Sequence, residues 1–277
     1  MKEKVVVVKK PFIKIANSLP IILIAGPCVI ENESKAFAIA KQLKEISENC
    51  GISLVFKASY DKANRSSAGS FRGPGLKAGL LILSNIKEKL NVPVLTDVHC
   101  REDVREAAKV VDILQVPAFL CRQTDLITEC AKTGLPVNVK KGQFLAPEDM
   151  NYIIGKIEKA GGDKILISER GASFGYHNLV VDFRSLPIMK KSGYPVIYDA
   201  THSVQLPQGG GGTSGGNPEF IEPLSKAAAA IGVAGLFVEV HPDPKKALSD
   251  GANSLKLSML EKFIRKIMKI DNLIKST

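Results

Sequence analysis

Eight short, apolar, β-branched runs, each ended by a polar residue or glycine, constrain this chain more than any other feature. They are Ile21–Ala25, Leu54–Lys57, Val94–Asp97, Ile113–Val116, Val137–Lys140, Ile165–Ser168, Val196–Asp199 and Leu236–Glu239, and most pairs leave room for a helix between them. The intervening segments read as helices. Lys35–Asn49 places Phe37, Ala40, Leu43 and Ile46 at helical spacing, with Gly51 just beyond to cap the end. Pro147–Ala160 opens on Pro, Glu and Asp and stops at Gly161-Gly162, while Pro218–Ile231 has Pro early and Gly232 after it. A last helix covers about Leu257–Ile274. Eight such units predict an α/β fold, a (β/α)8 TIM barrel. An open doubly wound sheet is the alternative, but no Gly-x-Gly-x-x-Gly follows the first run. The 277 residues suit a single barrel domain, 1–277. Ahead of it, Val5–Val8 and Phe12–Ile15 flank Lys9-Lys10-Pro11 and predict an N-terminal β-hairpin, within residues 1–19, that caps the barrel bottom.

Barrel chemistry sits at the C-terminal ends of the strands, where the βα loops gather into one mouth. At those ends this sequence places Cys28, Lys57, Asp97 with His99, Gln115, Lys140, Arg170, Asp199 with His202, and Glu239 with His241. The loop Lys57-Ala58-Ser59-Tyr60-Asp61-Lys62-Ala63-Asn64-Arg65-Ser66-Ser67 combines cations, hydroxyls and free backbone N–H groups, which is what phosphate oxygens require. A solvated basic loop is the plainer reading of that stretch alone, and convergence of all eight strand ends on one mouth favours the phosphate trap. Lys140 and Arg170 point into the same mouth beside Lys62 and suit a substrate carrying carboxylate and phosphate. Structural salt bridges to Asp61, Asp97 or Glu169 are the alternative. Arg65 with Ser66, and Arg122 in the loop Pro117–Gln123, suggest a second anion site and hence two phosphorylated substrates.

Strands seven, eight and one are neighbours in a closed barrel, so Cys28, His202, Glu239 and Asp250 converge on one sector. Thiolate, imidazole and two carboxylates form a ligand set acceptable to Zn(II), Fe(II) or Mn(II). A buried hydrophobic cysteine and a structural histidine are the alternatives. The segment Gln205–Pro218, with Gly209–Gly212 and Gly215-Gly216, is too long and glycine-rich for a tight connector and reads as a lid over the mouth, an inert linker being the other view.

A net charge of +10 suits anionic partners: nucleic acid, acidic membrane or small phosphorylated molecules. No nucleic-acid motif accompanies it, and lysines such as Lys262, Lys266 and Lys269 lie on a helix face that reads as solvated surface, so no nucleic-acid partner is expected. Five cysteines without paired short spacing argue against a disulfide framework and for a reducing cytosol. Val5–Val8 is too short for a signal-peptide core and no segment could span a membrane, so a cytoplasmic protein is expected.

The order Ala25-Gly26-Pro27-Cys28, Lys57–Ser67, Pro117–Asp125, Asn138-Val139-Lys140-Lys141-Gly142-Gln143-Phe144, Arg170-Gly171, Phe174-Gly175-Tyr176, Asp199-Ala200-Thr201-His202 and Glu239-Val240-His241-Pro242 resembles the 3-deoxy-D-manno-octulosonate 8-phosphate synthases over nearly the whole chain. The resemblance implies a homotetrameric barrel that condenses phosphoenolpyruvate with D-arabinose 5-phosphate and water, supplying the Kdo sugar of lipopolysaccharide. It implies that Ser59, Lys62, Gln115, Ala118, Lys140 and Arg170 hold phosphoenolpyruvate, and that Lys57, Asn64, Asp97 and His202 face the pentose. Arg65 and Ser66 would take the pentose phosphate, with Arg122 reaching in from a neighbouring subunit. Cys28, and Gly142 in Lys141-Gly142-Gln143, resemble the metal-dependent branch of that family, which implies Cys28, His202, Glu239 and Asp250 as ligands of a divalent metal. Two departures are Cys100 after His99, where the family often has Glu, and the unusual glycine content of the lid. The related seven-carbon synthase, which uses erythrose 4-phosphate, is the nearest alternative. Its loop usually reads Lys-Pro-Arg-Thr, whereas Lys62-Ala63-Asn64-Arg65-Ser66 here favours the pentose.

Overall fold

The computed structural model describes residues 2–65, 67, 69–207 and 214–276; Ser66 and the Gly209–Gly212 part of the expected lid lie outside them. In chain order, β1 (Val6–Val8) and β2 (Ile13–Ile15) precede β3 (Ile22–Gly26), α1 (Glu33–Cys50), β4 (Leu54–Lys57), α2 (Leu76–Leu90), β5 (Val94–Asp97) and α3 (Arg101–Ala107). Then come β6 (Ile113–Val116), α4 (Thr124–Lys132), β7 (Val137–Lys140), α5 (Met150–Lys159), β8 (Ile165–Glu169), the short β9 (Ala172–Ser173) and β10 (Leu179–Val180), and α6 (Ser185–Lys190). The chain continues through β11 (Val196–Asp199), β12 (Gln205–Leu206), β13 (Gly215–Gly216), α7 (Ile221–Ile231), β14 (Gly235–His241), β15 (Leu255–Lys256) and α8 (Leu260–Lys275).

Strands β3 to β8, β11 and β14 pair in parallel in sequence order, and a β11–β14 pairing closes the ring. The predicted (β/α)8 barrel is therefore the observed architecture, with eight barrel strands at the positions of the eight apolar runs. Closure is fixed by registers such as Ile24↔Phe237 and Tyr198↔Leu236. Helix ends follow local chemistry. The Asn32 side chain accepts from the Lys35 backbone N–H at 2.9 Å, and Gly51 ends α1 in the left-handed region at φ 70°.

Period-two alternation sends successive side chains to opposite faces of the barrel wall. Leu23, Ala25, Leu54, Phe56, Val137, Val139, Ile165 and Ile167 join the outer core beneath the helices. Ile22, Ile24, Val55, Leu95, Ile113, Leu166, Ile197 and Phe237 form a second, interior cluster together with Val6, Val8, Ile13 and Ile15. The hairpin β1–β2 is thus packed on the apolar floor of the barrel, as expected from its sequence, and away from the strands' C-terminal ends. Gly26 ends β3 where only glycine fits: a Cβ there would come within 1.8 Å of the Lys57 carbonyl oxygen. That close approach sets Cys28 beside the end of β4.

Candidate active site

Two residues beyond the apolar floor, the same strands turn polar. On β7 and β8 the inward positions are Asn138 and Ser168, and a hydrogen-bonded chain runs around the barrel from them. Ser168 donates to Asn138 Oδ1 at 2.8 Å, Asn138 donates to Gln115 Oε1 at 2.8 Å, and Gln115 donates to Asp97 Oδ1 at 2.5 Å. Ser59 donates to the other oxygen of Asp97. Every polar atom on this chain faces another polar atom, which is what lets such groups sit in a dry interior.

Lys57 closes the next sector. Its Nζ lies 2.9 Å from Glu239 Oε1, 3.0 Å from the Cys28 carbonyl oxygen and 3.8 Å from Asp97 Oδ2. Burial works against its charge, yet Glu239 and Asp97 keep its pKa above the ordinary lysine value. Across the barrel, Lys140 Nζ donates to Asp199 Oδ2 at 2.7 Å and sits 3.7 Å above the Phe237 ring, a cation–π floor. Burial nonetheless pulls Lys140 below the ordinary lysine value, and it lowers Arg170 likewise. Arg170 Nη2 donates to Gln205 Oε1 at 2.9 Å, whereas Nη1 is buried and has no hydrogen-bond partner among the described residues.

Lys57, Asn64, Asp97, Ala118, Lys140, Arg170, His202 and Glu239 surround a cavity of about 80 Å³ at the base of the mouth, with Lys62 reaching in from the loop. Above it opens a larger cavity of about 1120 Å³ whose wall includes Lys62, Asn64, Arg65, Arg170, His202, Gln205 and Asp250. The cations that converge here are inside the barrel, not on an outer face that could track a polyanion. Several of these cations are paired, but not with the Asp61, Asp97 or Glu169 expected for Lys62 and Lys140: Lys57 meets Glu239, Lys140 meets Asp199 and Lys62 meets Asp250, each within 4.0 Å. Arg170 is the exception, and its free nitrogen is the plainest invitation to an anion.

Cys28, Glu239 and Asp250 each bring one ligand atom within 4.8 Å of the others. Cys28 Sγ is 2.9 Å from Asp250 Oδ2 and 3.0 Å from Ser249 Oγ. Glu239 Oε2 is buried without a hydrogen-bond partner among the described residues, and His202 Nε2 stands 3.7 Å from it. His202 Nδ1 meets Asp199 Oδ2 at 2.9 Å, which leaves Nε2 as the ring atom free to bind a metal. Burial, then Asp250 and Glu239, push the Cys28 thiol well above its ordinary value, so without a cation it holds its proton. An orphaned carboxylate oxygen beside sulfur and a second carboxylate fits a divalent cation, and His202, expected as a fourth ligand, stands next to Glu239 without joining the group of three.

Other expected residues lie further out. Arg65 is anchored to two backbone carbonyls, Nη2 to that of Leu248 in the segment after β14 at 2.7 Å and Nε to that of Phe71 in its own loop at 3.0 Å. Arg122 is exposed and lines neither cavity of its own barrel. His241 lines neither cavity, and its Nε2 lies 3.4 Å from Glu31 Oε1. The expected lid begins as a two-stranded ribbon, β12 paired with β13. Reading the strand ends alone missed Asn138, Ser168 and Phe237, although each lies two positions before a residue already singled out and so on the same face. It also missed Gln205 and Ser249, for which the sequence carries no comparable signal.

Residues 4–276 match the model of the DAHP synthetase I family. A protein of Geobacter metallireducens named 2-dehydro-3-deoxyphosphooctonate aldolase is 58% identical over 263 residues, covering 95% of this chain and 97% of the relative. Proteins of the same name from Geobacter sulfurreducens and Desulfotalea psychrophila are each 57% identical, over 95% and 93% of this chain and 97% and 92% of their own lengths.

Proposed function

The chain belongs to the DAHP synthetase I family, and from that premise we propose that it condenses phosphoenolpyruvate with D-arabinose 5-phosphate and water to give 3-deoxy-D-manno-octulosonate 8-phosphate and inorganic phosphate. The name shared by its close relatives favours this eight-carbon product over the seven-carbon one made from erythrose 4-phosphate. One observation carries the reading at the level of the site: Lys62, Lys140 and Arg170 line the small cavity at the base of the mouth together with Glu239, a member of the Cys28, Glu239 and Asp250 donor cluster.

In this reading the cations Lys62, Lys140 and Arg170 hold the phosphate and carboxylate of phosphoenolpyruvate, with Ser59, Gln115 and Ala118 forming its pocket. Arg170 Nη1, buried without a partner, gains one on binding. Lys57, Asn64, Asp97 and His202 orient the aldose, and Arg65 with Ser66 takes its phosphate. C3 of the enol forms a bond to the aldehyde carbon while water adds at C2, and the resulting hemiketal phosphate expels phosphate by carbon–oxygen cleavage. The aldehyde oxygen gains a proton in that sequence, and water loses one. Holding two mutually repelling anions in register is the main contribution of the cations. Asp199 keeps Lys140 and His202 in place, accepting from the lysine Nζ and from the His202 backbone N–H. Cys28, His202, Glu239 and Asp250 would hold the divalent metal, whether Zn, Fe or Mn, which supplies charge neutralisation for a bound oxygen when present.

The chain, 1–277, is read as one barrel domain with the hairpin as its cap, assembled as a homotetramer in which the exposed Arg122 serves a neighbouring mouth. The proposed setting is the cytoplasm, in lipopolysaccharide biosynthesis; among the described residues, no helix is long and apolar enough to cross a membrane. The decisive assay is phosphate release from phosphoenolpyruvate with each aldose, before and after chelation. Arabinose 5-phosphate is expected to support turnover that chelation abolishes and added divalent metal restores. Faster turnover with erythrose 4-phosphate would overturn the substrate, and full activity in metal-free protein would overturn the metal.

A further inference from the structure

Gln205 stands between the two chemistries of the mouth. Its Oε1 accepts from Arg170 Nη2 at 2.9 Å and its Nε2 donates to Asp250 Oδ1 at 3.2 Å. A carboxamide is suited to this because it presents an acceptor to the guanidinium and a donor to the carboxylate from one uncharged group. A glutamate would satisfy Arg170 but set a second negative charge against Asp250. An aliphatic residue would leave both polar groups unpaired, at the cost that buried unsatisfied groups carry.

Each partner of the amide keeps one atom bound and one atom directed elsewhere. Asp250 gives Oδ1 to Gln205, while its Oδ2 lies 2.9 Å from Cys28 Sγ, in the donor cluster. Arg170 gives Nη2 to Gln205, while Nη1 is buried with no partner. Arg170 and Asp250 are opposite charges held apart by a neutral spacer. Were they to meet directly, the ion pair would occupy the nitrogen offered to an anion and an oxygen offered to a metal.

The spacer is itself fixed. Gln205 is only 9% exposed and opens β12, where it pairs with Gly216 of β13. The β13 backbone is packed on the turn that follows Asp250: a Cβ on Gly216 would come within 1.4 Å of Asn253 Oδ1, and Asn253 Nδ2 donates to the Gly215 carbonyl at 3.2 Å. The ribbon that carries Gln205 and the turn that carries Asp250 are therefore packed against each other.

We propose that Gln205 is a positioning residue that couples the two half-sites, so that anion binding at Arg170 and divalent-metal binding at Asp250 strengthen each other through its amide. This rests on the functional reading above. An anion on Arg170 Nη1 keeps the guanidinium turned toward the deep cavity, the amide stays between the charges, and Asp250 remains free to present Oδ2 to the metal. Thermodynamic linkage then requires the reciprocal effect, metal tightening the anion by the same factor.

The test uses Mn(II) and phosphoenolpyruvate as probes on the full-length protein, without aldose so that nothing turns over. In the wild type, saturating phosphoenolpyruvate is expected to tighten Mn(II), measured by equilibrium dialysis, by about 5- to 100-fold, and Mn(II) to tighten phosphoenolpyruvate equally. Gln205→Leu is expected to bring that factor close to one and to weaken Mn(II) alone by about 10-fold or more. Gln205→Glu separates positioning from mere support of the fold. It loses the donor to Asp250 and should weaken Mn(II) alone as Gln205→Leu does, but it keeps an acceptor for Arg170 Nη2 and should hold phosphoenolpyruvate alone better than Gln205→Leu, whereas general damage to the mouth weakens both probes equally in the two variants. Independent binding of the two probes in the wild type, or undiminished coupling in Gln205→Leu, overturns the proposal whatever the variants do to folding. If the wild type still releases phosphate with arabinose 5-phosphate in that case, only the coupling has failed. If it binds neither probe, the functional reading has failed with it.

Discussion

The two halves of the barrel interior are built on the same strands, two residues apart, and follow opposite rules. Val55 precedes Lys57, Leu95 precedes Asp97, Ile113 precedes Gln115, Ile197 precedes Asp199 and Phe237 precedes Glu239. The first member of each pair belongs to the apolar floor, and the second is a buried polar or charged group. The floor is held by burial of hydrocarbon and covered by the hairpin, and its contacts are non-directional. The polar layer is held by geometry: each charge is tolerable only because a partner lies within hydrogen-bond reach. The floor supplies rigidity, and the layer above it uses that rigidity to keep charges where ligands need them. Phe237 is the boundary between the two, apolar beneath and offering its ring face to Lys140 above.

Removing one charge from the polar layer tests the contrast most severely. Lys57→Met leaves Glu239 without its 2.9 Å partner, and loss of one member of a buried pair costs about 3–5 kcal/mol. With a cation of the proposed aldose site gone, phosphate release is expected to fall by about 10³-fold. Urea unfolding alongside the assay checks both, and a variant of wild-type stability would show that the layer is less tightly balanced than its distances indicate. In the floor the expected outcome is reversed. Ile24→Ala should cost about 2–5 kcal/mol by the urea midpoint yet leave kcat within about two-fold while the protein remains folded. A large drop in kcat there would mean that the two layers are not separable.

The smallest effect concerns acid. Although burial opposes its charge, Asp97 lies well below the usual carboxylate range because Lys57, Lys62, Lys140 and the Gln115 amide favour the ionised form. A folded pKa below the unfolded value of about 3.9 gives stability that is complete above that value and is lost as pH falls through the folded pKa. Stability should therefore decline below about pH 4, by at most about 1.4 kcal/mol per pH unit for this one group. Asp97→Asn should flatten that decline in urea titrations between pH 5 and 3, and an unchanged slope would mean that other carboxylates carry the acid sensitivity.

The barrel was legible because its strands are buried on both faces. Runs such as Val94–Asp97 and Ile113–Val116 coincide with β5 and β6. Strand β14 extends past the expected Leu236–Glu239 because Val240 and His241 pair with β15, a contact that the run itself does not announce. Helices α5, α7 and α8 begin after tight turns at Pro147–Asp149, Pro218–Phe220 and Leu257–Met259, which the same capping signals merge into the helix. The hairpin β9–β10 is too short to leave a pattern.

Strand periodicity marked which ends carry polar groups, and so located the mouth and most of the residues in it. It could not show that Gln205 would lie between Arg170, 35 residues away, and Asp250, 45 residues away. Nor could it show that Lys140 would take Asp199 as its partner while Lys57 took Glu239. The sequence by itself determined the alternation, the barrel and the end at which chemistry gathers, because side-chain period and burial are local properties of the chain. Which charge faces which, and which atoms are left free for a ligand, was decided only when β11 closed on β14. Hydrogen bonds and ion pairs act over 3 to 4 Å in space, a scale that separation along the chain does not set.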